Sequence, residues 1–249
     1  MMTLTMPPAT TDENLRLLST ENKLKSTDIQ EILKINSSAS TNDENVNDNA
    51  NTSITSSKQM PFYFGISEIL PNLYLCGACA IVRPETLEKL QIKFVVNATV
   101  ELPDTPLPDD KPEYMRVPVK DVRESNLMEY FDKVADVIEK TRQEDGKSLV
   151  HCVAGVSRST SLVLAYLMKY ADMSLLQAFQ HVRSIRPQIR PNMGFFKQLI
   201  DYEQRLYGTT TVSMVHCSSL GEEIPDVYES EYKAMELLYQ KYRRSFARR

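Results

Sequence analysis

Residues Leu149-Val150-His151-Cys152-Val153-Ala154-Gly155-Val156-Ser157-Arg158-Ser159 combine a short apolar run, a thiol, a glycine-bearing turn and a guanidinium, and a helical pattern follows. The run predicts a buried strand ending near Cys152, a tight loop, and a helix from about Ser159 to Tyr170. The first amides of that helix have no intrahelical acceptors, and its dipole is positive at that end. An anion placed there meets a ready binding site. Gly155 lets the loop backbone turn sharply and offer its N–H groups, and Val153, Ala154, Gly155, Val156, Ser157 and Arg158 are the expected substrate-binding residues. Arg158 adds a planar fork suited to two phosphate oxygens at once. The same positive field favours the thiolate of Cys152, which becomes a candidate nucleophile toward phosphorus. Ser159 is placed to donate a hydrogen bond to that sulfur. A lone buried thiol is ordinarily a small hydrophobe; the accompanying His151, Gly155 and Ser-Arg-Ser run distinguish this one.

The segment His151–Ser159 resembles the signature of the cysteine-dependent dual-specificity protein phosphatases. The resemblance extends outward. Phe64-Gly65-Ile66-Ser67-Glu68-Ile69 with Leu73-Tyr74-Leu75 is similar to the first hairpin of that family, and Val95-Val96-Asn97-Ala98-Thr99 to its next core strand. Arg186-Pro187-Gln188-Ile189-Arg190-Pro191-Asn192-Met193-Gly194-Phe195-Phe196 is similar to its late loop and final helix. Gln198–Glu203 and Pro225-Asp226-Val227-Tyr228 are most similar to the small atypical subgroup. The likeness covers about residues 62–230. It implies a protein tyrosine phosphatase-like α/β fold, hydrolysis of phosphoserine, phosphothreonine and phosphotyrosine in proteins through a phosphocysteine intermediate, no cofactor and no metal. It implies phosphorylated protein partners, with kinases and kinase adaptors in the same class.

A thiolate alone cannot expel a serine or threonine alkoxide, so the leaving oxygen needs a proton from a positioned acid. Val117-Pro118-Val119-Lys120-Asp121 ends a strand, and Asp121 opens the following loop, where it reads equally as a solvated aspartate or as that acid. Its spacing upstream of Cys152 resembles the family's general acid, which assigns it the acid role and then the base role toward water. His151 could also act as an acid, but at a buried strand end it is expected to order the loop and tune the thiolate. Asn192 is expected to cap the last helix of the domain.

The chain of 249 residues is 42% hydrophobic and 25% charged, with a net charge of −4. That balance implies no bulk affinity for nucleic acid, and no apolar run is long enough to span a membrane. No secretory pattern opens the chain, and four cysteines do not make a disulfide framework. A reducing location is expected, cytoplasmic and possible also for the nucleus. Cys76-Gly77-Ala78-Cys79 reads as half a zinc site with His216-Cys217 as the other pair, as a redox partner of Cys152, or as two packed thiols.

Three regions are expected: an extension over 1–61, disordered or weakly helical; a catalytic domain over 62–208; and a C-terminal extension over 209–249, irregular and then helical from Glu229 to Phe246. Leu15, Leu18, Leu24, Ile29, Ile32 and Leu33 could line a marginal amphipathic helix, whereas Ser37–Ser57 has almost no large apolar residue. The basic end, Lys241–Arg249, suits a helix C-terminus and would also suit acidic lipid or a phosphorylated partner. Within 62–208 the element order suggests a mixed central sheet with helices on both faces and the phosphate loop at the C-terminal end of a central strand. Three other activities fit a cysteine loop. A phosphoinositide phosphatase would be expected to carry loop lysines, and Val153–Ser157 has none. A binding-only module would not need Cys152, Arg158 and Asp121 together, and a sulfur-transfer enzyme would not need Asp121. Removal of residues 1–58 is expected to leave thermal unfolding and turnover of a small aryl phosphate unchanged; a fall in either would show that the segment contributes to the domain.

Overall fold

The computed structural model describes residues 65–246, with side chains as far as 237, so the expected extension over 1–61 and the basic end lie outside the described side chains. A five-stranded sheet is built from β1 (Ser67–Leu70), β2 (Leu73–Gly77), β3 (Ile92–Asn97), β4 (Glu113–Arg116) and β5 (Lys147–Cys152), in the order β1-β2-β5-β3-β4. β1 and β2 form an antiparallel hairpin, whereas β2, β5, β3 and β4 run parallel. The hairpin turn is Pro71-Asn72, with Asn72 at a φ of 73°, a conformation asparagine tolerates better than most residues. The sheet is therefore mixed, and β5 is its centre.

Alternation along the strands divides the core into two parts. Leu73, Leu75, Phe94, Val96, Val150 and Cys152 face the larger one. Tyr74, Cys76, Val95 and Leu149 face the smaller one, with Ile81, Leu87 and Ile92. The smaller core is covered by a short turn at Ala78–Ile81 and by α1 (Glu85–Leu90). The larger core is covered by α2 (Phe131–Gln143), α3 (Arg158–Tyr170), α4 (Leu175–Ile185) and α5 (Met193–Tyr207). Every residue of α3 from Arg158 to Met168 is buried. Its Ser-Leu-Val-Leu-Ala-Tyr-Leu-Met run is apolar nearly all round, which suits a central helix wrapped by others. α4 starts with a reciprocal capping box between Ser174 and Gln177. α5 starts at Asn192, whose side chain accepts the Phe195 N–H at 2.9 Å. Among the described residues no helix is long and apolar enough to cross a membrane.

The segment after Gly208 differs from the irregular chain expected. β6 (Met214–Cys217) and β7 (Glu222–Pro225) form a small antiparallel pair, followed by α6 (Glu229–Phe246). Four-residue strands give little periodic signal, and an isolated two-stranded pair is marginal by itself. Here it is held by the main core, to which Val212, Cys217, Ile224 and Tyr228 all belong. The Tyr228 ring meets Phe196 and Phe179 edge-on at 5.3 and 5.8 Å, and those two rings meet each other at 5.4 Å. Residues beyond 208 are thus part of the same hydrophobic interior as α4 and α5.

Two expected outcomes follow from this packing. Tyr228→Ala should cost about 3–5 kcal/mol in denaturant unfolding, the usual range for deleting a buried aromatic; a loss below about 1 kcal/mol would remove the C-terminal segment from the core. The second concerns His151 and His181, both buried. Burial pushes the His151 imidazole down to about 4, and burial likewise lowers His181. Both therefore stay neutral in the fold while the unfolded chain protonates near pH 6.5. The unfolded chain then binds more protons as pH falls, so their contribution is complete above about pH 6.5 and declines toward pH 4. Unfolding free energy should fall over that window, the His151 part by up to about 3 kcal/mol. His151→Gln should make the decline shallower; an unchanged slope would contradict the buried neutral ring.

Candidate active site

β5 ends at Cys152 and α3 begins at Arg158, so residues 153–157 close the turn between them. The loop is held by its carbonyl groups. Val153 O accepts the Ala78 N–H at 3.0 Å, and Val156 O accepts the Arg190 N–H at 2.8 Å. Between them, Ala154 O and Gly155 O accept from Arg186 Nη2 and Nε at 3.1 and 2.8 Å. A trans peptide carries its C=O and N–H on opposite sides. Four carbonyls tied to the body of the protein therefore turn the N–H groups of Ala154, Gly155, Val156 and Ser157 inward. The Gly155 N–H accordingly lies 3.2 Å from Cys152 Sγ. Gly155 is required twice over: its φ is +67°, and a Cβ there would lie 2.5 Å from the Cys76 carbonyl.

Cys152 is 2% exposed and its Sγ also accepts the Ser159 hydroxyl at 3.1 Å. The residue at the α3 N-cap is Ser157, yet its side chain caps nothing. Ser157 Oγ instead donates to Asp121 Oδ1 at 2.7 Å and accepts the Asn192 N–H at 3.1 Å. The inward N–H groups of the first turn are thereby left for a ligand, in the positive field of the helix.

Arg158 is 3% exposed, and its donors are divided in an informative way. Nη1 donates to Glu101 Oε2 at 2.8 Å and to Val119 O at 3.1 Å, and Nη2 donates to Glu101 Oε1 at 2.7 Å. These hydrogen bonds from Arg158 hold the Glu101 carboxyl down at about 2. Of the five donors of a guanidinium, two remain: Nε–H and the adjacent N–H of Nη2. They share one edge, and Nε is buried with no hydrogen-bond partner. Glu101 and Val119 therefore fix which edge of Arg158 faces an incoming oxyanion.

Asp121 sits at the rim. Its Oδ1 accepts from Ser157 Oγ and from Asn192 Nδ2 at 2.8 Å, and its Oδ2 lies 3.6 Å from Arg158 Nε. The loop carrying it is pinned to α5. Gln198 Oε1 accepts the Leu127 and Met128 N–H groups at 2.8 and 2.9 Å, and its amide donates to Ser125 O at 2.8 Å. At Gly194 a Cβ would lie 2.0 Å from Arg123 O, so only glycine lets this loop approach the helix. Arg123 reaches further, pairing with Glu222 on β7.

Cys152, Arg158, Asp121 and Ser159 thus converge, with Val153, Ala154, Gly155, Val156 and Ser157 contributing backbone. His151 faces the opposite side of the sheet, where its Nε2 lies 2.7 Å from Thr105 Oγ1. It touches Cys152 through that residue's carbonyl, 3.4 Å from Nδ1, and not through sulfur. Cys76 pairs in register with His151 on that same side, buried, with burial pushing its thiol up; Cys79 is exposed. Among the described residues no three of His, Cys, Asp or Glu gather as metal ligands. Sequence reasoning missed Glu101, Gln198, the second bond made by Asn192, and the role of Arg186. All lie far from Cys152 in the chain, and only the fold brings them together.

Comparison with known proteins agrees with this geometry. Residues 73–205 match the family model described as the dual specificity phosphatase catalytic domain. Human dual specificity protein phosphatase 18 is 46% identical over 177 residues, covering 71% of this chain and 92% of the relative. Mouse dual specificity protein phosphatase 14, of the subgroup the sequence resembles, is 45% identical over 167 residues, covering 67% and 82%. Among solved structures, a mouse dual specificity phosphatase complexed with zinc tungstate superposes with a TM-score of 0.56 at 33% identity, covering 63% of this chain and 96% of that one. With the fold, the loop and these relatives in agreement, the chain belongs to the dual-specificity protein phosphatases.

Proposed function

We propose that Cys152 is the nucleophile of this phosphatase, Asp121 its general acid and base, and Arg158 the residue that holds the phosphoryl group throughout. The reading rests on one observation: Glu101 and Val119 leave one edge of Arg158 free, with Asp121 Oδ2 3.6 Å from its Nε, at the start of the helix whose Ser159 hydroxyl donates to Cys152 Sγ. A phosphomonoester occupying the loop meets the inward N–H groups with its oxygens and the sulfur with its phosphorus. The thiolate attacks, the P–O bond to the protein substrate breaks, and Asp121 delivers its proton to the departing oxygen. Water then attacks the phosphocysteine and gives its proton to the Asp121 carboxylate. The P–S bond breaks, and the Ser159 hydroxyl stabilises the sulfur as it leaves. Electrostatic stabilisation by donors already in position is the largest contribution expected of such a loop.

Phosphorylated proteins are the substrates in this reading, kinases and kinase adaptors among them. Because the nucleophile is a thiol, the enzyme needs a reducing location, cytoplasmic or nuclear. No cation lies in Val153–Ser157 to hold the additional phosphates of a phosphoinositide. A binding-only module would gain nothing from an acid at Asp121. The mouse relative complexed with tungstate, an oxyanion of phosphate-like shape, supports an oxyanion site in this fold.

The nucleophile and the acid have separate tests. Cys152→Ser should abolish turnover of para-nitrophenyl phosphate with the fold intact; activity within tenfold of the parent protein would remove Cys152 from the role. Arg158→Lys keeps the charge but loses the edge, and should cost about 10²–10⁴ in kcat/KM. Asp121→Asn should slow phosphoserine and phosphothreonine peptides by about 10²–10⁴. An aryl ester with a stable leaving phenolate should be slowed much less, because it departs without a proton. Equal slowing of both substrate types would show that Asp121 is not the acid.

A further inference from the structure

Arg186 is the second buried arginine of this site, 1% exposed, and it binds the carbonyl side of the phosphate loop. Every acceptor it meets is neutral: Ala154 O, Gly155 O, Gly65 O at 2.9 Å and Ser67 Oγ at 3.3 Å. Among the described residues it has no carboxylate partner. A buried cation without a counter-ion is costly unless something compensates it. Arg158, by contrast, has Glu101 and Asp121 beside it. The groups that act on the Arg186 charge are the thiols of Cys76, Cys152 and Cys79, so that charge stands behind the nucleophilic sulfur as well as behind the loop.

We infer that Arg186 is a positioning residue of the phosphatase site: by holding the carbonyls of Ala154 and Gly155 outward from behind, it keeps the loop in its anion-binding form. The inference rests on the proposed phosphate loop. Without Arg186, the peptides joining Ala154 to Gly155 and Gly155 to Val156 lose the outward anchors that the described residues give them. Each can then rotate, and a rotated peptide replaces an inward N–H with an inward carbonyl oxygen that repels the phosphoryl group. Gly155, lacking Cβ, offers little resistance to that rotation. The neighbouring peptides keep the tethers from Ala78 and Arg190, so the defect is confined to the middle of the loop. Gly65 and Ser67, at the entrance to β1, anchor the outer end of the guanidinium and tie the sheet edge to the loop.

The experiment uses the full chain with Arg186→Met and Arg186→Lys. Three quantities are measured: thermal unfolding without ligand, the calorimetric Kd for tungstate, and KM and kcat for para-nitrophenyl phosphate. Arg186→Met removes charge and fork together, and tungstate binding should weaken at least tenfold, with KM rising in parallel. Arg186→Lys restores the charge but not a fork spanning two adjacent carbonyls, and should fall between the two, at least threefold weaker than the parent protein. A merely structural role would lower the unfolding temperature and leave the tungstate affinity of the folded protein unchanged. If either folded variant binds tungstate and turns over within twofold of the parent, the inference is overturned; should Arg186→Met not fold, Arg186→Lys decides. A parent protein that itself fails to hydrolyse para-nitrophenyl phosphate would overturn the catalytic reading instead, so the two failures are distinguishable.

Discussion

The constraint on which this molecule depends is the outward tethering of four consecutive carbonyl groups between Cys152 and Arg158. A turn between a strand and a helix leaves its peptides free to point either way, and an anion site needs all of them to point N–H inward. Local preference cannot supply that. Here a backbone amide from the turn after β2, a backbone amide from Arg190 and the two nitrogens of Arg186 each take carbonyls of the loop. The anion loop is therefore held by two other parts of the chain, the turn after β2 and the connection between α4 and α5, and its quality is a property of the whole domain.

The charges around the loop follow one logic. Arg158 is presented by Glu101 and Val119 so that a single edge remains open. Ser157, which could have capped α3, is diverted to Asp121 and leaves the helix amides available. Asn192 divides its side chain between capping α5 and holding Asp121. Arg158 and Ser157 satisfy their hydrogen bonds in a way that leaves donors of Arg158 and of the helix start for a ligand, whereas Asn192 holds Asp121 in place. A buried donor left unsatisfied is costly, so the partnerless Nε of Arg158 marks a place where ligand binding has overridden stability.

The acid loop and the C-terminal segment are linked by the same reasoning. Gln198 and Gly194 bring the Asp121 loop against α5, and Arg123 carries the connection to Glu222. The segment holding Glu222 is itself secured by Tyr228 among Phe179 and Phe196. Residues beyond 208 are therefore joined to the loop that carries Asp121 although they lie outside the stretch that matches the family model.

What the sequence determined by itself is the local chemistry: a strand, a glycine turn and a helix start bringing Cys152, Arg158 and Ser159 together across a few residues. A short apolar run and helical apolar spacing also marked the central strand and the helices that cover it, and His151–Ser159 with its flanking segments carried the family resemblance. These are short-range properties, set by backbone geometry and by which faces must be buried. What only the tertiary structure decided is which long-range partners complete the site: Glu101 on Arg158, Thr105 on His151, Asn192 on Asp121 and Arg186 on the loop carbonyls. It also turned the segment after Gly208 from an expected irregular tail into a strand pair sharing the main core. Such contacts join residues far apart in the chain, where composition and periodicity hold no information; they exist because packing the sheet against its helices closes those distances and nearly all buried polar groups then pair.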